Sequence, residues 1–231
     1  QLLNYAQELG IKIVTNIRLK ESGYRMWRNR EMECCIYIGN ITASYQPGHA
    51  HADTFTFCLH YKGRPVIVDT GISTYEKSAR RQLERSTIAH NTVVIDELDS
   101  SEVWGGFRLA HRANVELLEE DEEKLAAVHD GYKSIGCKPK RIFNWRPDNF
   151  TIEDKVEGKI NGRSCFSYLH FHPDCEIFME ENKLILNRGM IIELQGFESL
   201  SLETDYFCEG FNRLKEATRF KGNFLSSSVI Q

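Results

Sequence analysis

The sequence predicts an all-β protein: a large antiparallel two-sheet β-sandwich with a short N-terminal helical segment. Three observations predict it. Short apolar runs with period-two alternation recur along the chain, as in 33–38, 54–61 and 92–95. Turn-forming clusters separate them, among them Gly39-Asn40, Lys62-Gly63-Arg64-Pro65 and Arg146-Pro147-Asp148-Asn149. Beyond residue 22, few windows carry a helical period.

Taken in order, Leu2, Leu3, Tyr5, Ala6 and Leu9 fall at helical spacing and Gly10 is a stop signal. Residues 1–22 are therefore a capping helix or the last turns of a helical domain. Residues 33–38 form a strand ended by Gly39-Asn40, and Tyr45-Gln46-Pro47-Gly48 is a turn. Residues 54–61 and 66–69 pair as a hairpin across Lys62-Gly63-Arg64-Pro65. Residues 75–89 are polar and lack a strand period, which reads as a long loop with a helical turn; long ordered loops are disproportionately functional. The sheet resumes at 92–95. Residues 114–118 and 124–128 flank an acidic turn, and 141–145 and 150–156 flank the Arg146–Asn149 turn. Segments 164–172, 176–179, 183–186 and 190–194 continue the meander, with further strand-like pieces from Ser199. With no repeat, linker or low-complexity tract, one β domain is expected over 23–231.

The composition is that of an ordinary globular protein, 41% hydrophobic and 27% charged over 231 residues. No apolar run is long enough for a transmembrane helix. The chain begins at Gln1, as a mature form or an excised piece would. A net charge of −4 argues against nucleic acid as a bulk electrostatic partner. An acidic ligand would need a local basic patch, for which Arg80, Arg81 and Arg85 are candidates; Lys138, Lys140 and Arg141 read as a solvated surface cluster. Seven cysteines without CxxC spacing support neither a zinc ribbon nor a thioredoxin-like motif, and read as buried small hydrophobes.

The chemistry concentrates in Gly48-His49-Ala50-His51-Ala52-Asp53. In an extended chain His49, His51 and Asp53 share one face. Asp69 closes the run Pro65-Val66-Ile67-Val68, and His90 precedes Asn91-Thr92-Val93-Val94-Ile95. As neighbouring strand ends, these would bring His51, Asp69 and His90 together: two imidazoles and a carboxylate, a donor set that suits zinc. His51, Asp53 and His90 form a rival set with the spacing of a non-haem iron oxygenase, and spacing alone does not separate the two. His170 and His172 share a strand face but have no carboxylate in matching context, so a structural role is expected.

The stretches Gly48–Asp53, Val68-Asp69-Thr70-Gly71 and Arg85-Ser86-Thr87-Ile88-Ala89-His90-Asn91-Thr92-Val93, ending near Ser101-Glu102-Val103-Trp104-Gly105, resemble the heparinase II/III-like polysaccharide lyases. The resemblance implies a β-sandwich that follows an N-terminal helical toroid in the parent protein. It implies β-elimination next to a uronate in an acidic polysaccharide such as a glycosaminoglycan or alginate, in a periplasmic or secreted setting. It places a zinc or other divalent ion on His51, Asp69 and His90 and puts His49 in the cleft as the catalytic group. Tyr75, Arg81 and Arg85 are candidate substrate-binding residues, because guanidinium forks suit carboxylates and sulfates. The family's remaining catalytic Tyr and Asn come from the toroid, so this chain alone is expected to show little lyase activity. Two other readings stand beside this one: a non-catalytic carbohydrate-binding or supporting module, and a cupin-like iron oxygenase.

Overall fold

The structure, a computed structural model, describes residues 2–11, 20–41, 45–187 and 189–231. Helix α1 (Leu2–Glu8) forms where the apolar spacing expects it, and Gly10, at φ 70°, turns the chain out of it. Residues 12–19 of the expected N-terminal segment lie outside the described residues.

The first sheet contains β1 (Tyr24–Arg28), β2 (Met32–Tyr37), β3 (Phe57–Tyr61) and β4 (Arg64–Ile67) in sequence order, all antiparallel. There follow a helix α2 (Ala79–Arg85), the short strand β5 (Val93–Ile95), and a two-stranded ribbon of β6 (Val103–Trp104) and β7 (Arg108–Leu109).

The second sheet is assembled from β8 (Val115–Glu120), β9 (Lys124–His129), β10 (Cys137–Arg146), β11 (Asn149–Gly158) and β12 (Cys165–His170). It is completed by β13 (Ile177–Glu180), β14 (Lys183–Leu186), β15 (Met190–Gly210) and β16 (Arg213–Ile230). Its order is β13-β14-β15-β16-β11-β10-β9-β8, with β12 joining β16 to β5. Strand alternation puts Phe57, Leu59 and Val66 of the first sheet against Phe143, Ile152, Leu169 and Phe220 of the second, forming one continuous core. The expected all-β sandwich is what the chain forms.

Three local expectations are corrected. Residues 75–89 are not a loop with a single turn: α2 occupies Ala79–Arg85, its N-terminus capped by the Ser78 side chain accepting from Arg81 N. The strand read as 54–61 starts only at Phe57, because Phe55 sits at φ 71° and reverses the chain before it. The strand read as 190–194 runs on to Gly210. Bulges between Gln195 and Ser199, with Gly196 at φ 76°, shift its alternation and disguise the continuity.

All seven cysteines are free; Cys34, Cys137, Cys165 and Cys175 are buried, as small hydrophobes would be. Arg141, read as part of a solvated cluster, is buried. It sits opposite Asp154 in the β10–β11 register and binds it through Nε at 2.6 Å and Nη2 at 2.8 Å. A strand exposes alternate residues, so Lys138 stays outside on the same strand.

Candidate functional site

The histidine motif lies between Gly48 and the Phe55 reversal. Its burial alternates as expected: Ala50 and Ala52 face the interior, His49 is exposed, and His51 and Asp53 are half-buried. Helix α2 clamps it from below. Arg85 Nε donates to Ala50 O at 2.9 Å, and Ala52 N donates to Arg85 O at 2.9 Å. Asp69 arrives just after β4, and His90 at the end of the short turn Thr87–Ala89.

Asn91 joins these pieces. Its side-chain amide donates to Phe57 O and Val68 O, and its Oδ1 accepts from His170 N. Behind it, Arg141 Nη1 donates to Phe55 O at 3.0 Å and Asn91 O at 2.6 Å. The buried Arg141–Asp154 pair thus holds both the reversal after the histidine motif and the backbone next to His90.

The three residues expected to share a cation converge. His90 Nδ1 and Asp69 Oδ1 are 2.8 Å apart, and the His51 and His90 rings are 5.3 Å apart between centroids. Two imidazoles on one tetrahedral ion would have centroids roughly 5 Å apart. His90 Nε2, on the ring edge away from Asp69, is buried without a hydrogen-bond partner among the described residues, and His51 Nε2 faces the buried Arg81 Nη1 at 3.5 Å. The donor types and the spacing of the two rings fit a divalent cation. The side chains as placed do not close around one: among the described residues no group of three His, Cys, Asp or Glu could hold an ion. Asp69 Oδ1 is instead engaged by His90 and by the Thr56 hydroxyl at 3.0 Å.

The electrostatics separate the roles. Burial and the positive charges of His90, Arg81 and Arg85 push His51 down to about 3, so it stays neutral, as a metal ligand must be. Burial opposes ionisation of Asp69, but the charge and hydrogen bond of His90 and the Thr56 hydroxyl outweigh it and hold its carboxyl below the usual range. Burial likewise disfavours a charged His90, yet the Asp69 carboxylate overrides it and raises the His90 pKa. Asp53, the rival carboxylate, is pushed up to about 6 mainly by burial.

Arg81 and Arg85 lie beneath this surface, fully buried. Arg85 donates to three carbonyls, those of Ala50, Trp104 and Arg108. Arg81 donates to Gly106 O and lies under the rings of Tyr75 and Phe107, 5.3 and 5.7 Å from their centroids; its Nη2 has no hydrogen-bond partner among the described residues. Among the described residues neither arginine is hydrogen-bonded to a carboxylate. Burial lowers the pKa of both, but a guanidinium stays protonated. Buried charges are normally paired; here the offset comes from the buried Glu84 carboxylate of the same helix, which acts on Arg81 without a hydrogen bond to it. Two guanidinium groups with no carboxylate in hydrogen-bond contact favour an anion nearby.

Tyr75 is exposed and meets the His49 ring edge-on at 5.8 Å. Sequence reasoning missed Phe107 and Phe211. Phe107 also meets His49 edge-on, and Phe211 is delivered by the β15–β16 hairpin tip. No local signal marks either, since both are single aromatics in turns. Asp205 was missed as well: it lies 2.6 Å from His170 Nδ1 and gives that histidine a half-buried carboxylate partner.

A model of the family described as heparinase II/III-like, C-terminal, matches residues 15–227. No curated protein matches the chain. Among solved structures, the heparan sulfate lyase HepC from Pedobacter heparinus is similar with a TM-score of 0.73 at 14% identity, the match covering 99% of this chain and 40% of that one. A heparinase III is similar with a TM-score of 0.72 at 18% identity, covering 93% of this chain and 35% of that one. Identities this low carry the likeness of fold alone. The chain spans well under half the length of either relative.

Proposed function

Because the chain belongs to the heparinase II/III-like C-terminal family, we propose that it is the β-sandwich half of a lyase that cleaves acidic, uronate-containing polysaccharide by β-elimination. The observation that carries this reading is the exposed His49 beside two buried guanidinium groups, neither hydrogen-bonded to a carboxylate among the described residues.

The chemistry needs those parts. Removing the proton next to a uronate carboxylate builds negative charge into an enolate-like system, so something must offset that charge and something must accept the proton. The fields of Arg81 and Arg85 offset it without touching the sugar, since both lie below the surface. This revises their expected role from direct contact to electrostatic support. His49, exposed and braced edge-on by Tyr75 and Phe107, is free to accept the proton or to donate to the carboxylate. The leaving sugar oxygen then takes a proton from an acid.

His51, Asp69 and His90 would hold a zinc-type ion. When bound, it supplies a fixed positive charge that ties the histidine motif to the segment leading into His90. Asn91 and Arg141 hold those backbones in register. The remaining acid and base groups belong to a helical toroid domain of the same parent protein, a partner suggested by the share of its relatives that this chain spans. A periplasmic or secreted setting follows from a polysaccharide substrate; no helix among the described residues is long and apolar enough to cross a membrane.

The test is formation of unsaturated uronate product, followed by ultraviolet absorbance, with the chain alone and joined to its helical domain. The joined protein turns over and loses at least a hundredfold in kcat with His49→Ala, a typical contribution of one general acid or base. Unchanged turnover in that variant overturns the assignment.

A further inference from the structure

Phe107, Tyr75 and Phe211 form a row of exposed rings that begins at His49. Tyr75 lies between the other two: its plane is 11° from that of Phe107 with centroids 6.1 Å apart, and 24° from that of Phe211 at 6.4 Å. They are 44%, 45% and 63% exposed, which is costly for three aromatic side chains in contact.

The row is built from three remote segments, and each is anchored. Gly71, at φ 79°, brings its loop so near the hairpin tip that an added Cβ would meet Cys208 Cβ at 3.1 Å. Cys208 N donates to Thr70 O at 2.7 Å and Asn212 N to Ser73 O at 2.8 Å, which fixes Phe211 beside Tyr75. The buried Arg81 guanidinium lies against Tyr75 and Phe107 and donates to Gly106 O, which fixes the other end. Exposed cations lie in or beside the same turns. Lys77 adjoins Gly106, Arg108 lies over the Trp104 ring at 4.6 Å, and Arg213 packs beside Gly210; Glu76 and Glu209 are the acids in the same turns.

We infer that this row is a sugar-stacking subsite, with Phe107 and Phe211 as specificity residues that seat consecutive rings of an acidic oligosaccharide leading into His49. The physical basis is the match of surfaces. A pyranose ring presents a face of C–H bonds with partial positive charge, which suits the negative face of an aromatic ring. Its carboxylates and sulfates project from the edge, toward turns that carry Lys77, Arg108 and Arg213. The inference rests on the reading of His49 as facing an acidic saccharide.

The test is titration calorimetry of the chain with size-defined heparan sulfate and alginate oligosaccharides and with neutral cellohexaose. Phe107→Ala and Phe211→Ala are compared with Phe178→Ala, a ring on β13 as exposed as Phe211. The expected result is binding of an acidic probe that weakens roughly three- to tenfold with each of the first two variants, is unchanged in Phe178→Ala, and is restored by Phe211→Trp. Melting temperatures are expected to stay unchanged, since the rings are exposed. Unchanged affinity in Phe107→Ala and Phe211→Ala overturns the subsite and leaves the lyase reading standing. Equal binding of cellohexaose, lost in those variants, keeps the subsite and removes the preference for acidic sugar. Binding of no probe overturns both.

Discussion

Arg141→Met should be among the most damaging single substitutions in this chain. The Arg141 and Asp154 side chains are each 1% exposed and make a two-pronged contact. Removing the guanidinium leaves a buried carboxylate with only the Ser167 hydroxyl, a change that costs about 3–5 kcal/mol. Phe55 O and Asn91 O also lose their donor, at about 1 kcal/mol each. The total, about 5–7 kcal/mol, is comparable to the whole stability of many domains. Chemical denaturation should show it as a large drop in midpoint at unchanged slope. The double variant Arg141→Met/Asp154→Leu removes the charge from both sides and should recover at least about 2 kcal/mol, measured as a coupling energy in a double-mutant cycle. A loss under about 1 kcal/mol for Arg141→Met, or purely additive losses in the double variant, would refute the reasoning.

Other expectations follow from the same structure. His129 is buried, with burial pushing its pKa from 6.5 down to about 3, so the unfolded chain takes up a proton below 6.5 that the folded chain refuses until about 3. Stability therefore falls with pH through that window, and His129→Asn, which keeps an acceptor for Gly131 N, should flatten the slope by up to about 1.4 kcal/mol per pH unit in acid titrations. Gly71→Ala places a Cβ 3.1 Å from that of Cys208 at positive φ, so it should destabilise the chain by about 1–2 kcal/mol and loosen the hairpin tip, read by hydrogen exchange at Cys208 and Asn212. Asn91→Ala removes the donor to Phe57 O and Val68 O and the acceptor for His170 N; it should cost about 2–4 kcal/mol in thermal unfolding and weaken any metal binding through His90.

Much of this was legible in the sequence because its signals were local. The strands at 33–38 and 150–156 alternate between bounding turns, and 141–145 pairs with 150–156 across the expected turn. His51, Asp69 and His90 each stand in a recognisable short motif at a strand edge, and the fold puts His90 against Asp69 and beside His51. What was not legible depends on partners far away in sequence. Arg141 looks like one of three neighbouring basic residues until β11 places Asp154 opposite it. Arg81 and Arg85 look like members of an open ligand-binding patch because nothing in a helical ARRQLER segment says that carbonyls from 50, 104, 106 and 108 will surround them. Phe211 meets Tyr75 only because an 18- and a 21-residue strand carry the hairpin tip across the site. The helix itself left a readable trace in its Ser78 cap, hidden by the absence of an apolar stripe.

The central claim is that His51, Asp69 and His90 share one cation and leave His49 free. Metal content of the purified chain tests it most directly, in the wild type and in Asp69→Asn and Asp53→Asn. One zinc-type ion per chain, lost with Asp69→Asn and kept with Asp53→Asn, is the predicted result. An ion that survives Asp69→Asn but needs Asp53, or a wild type that takes up none, would contradict it.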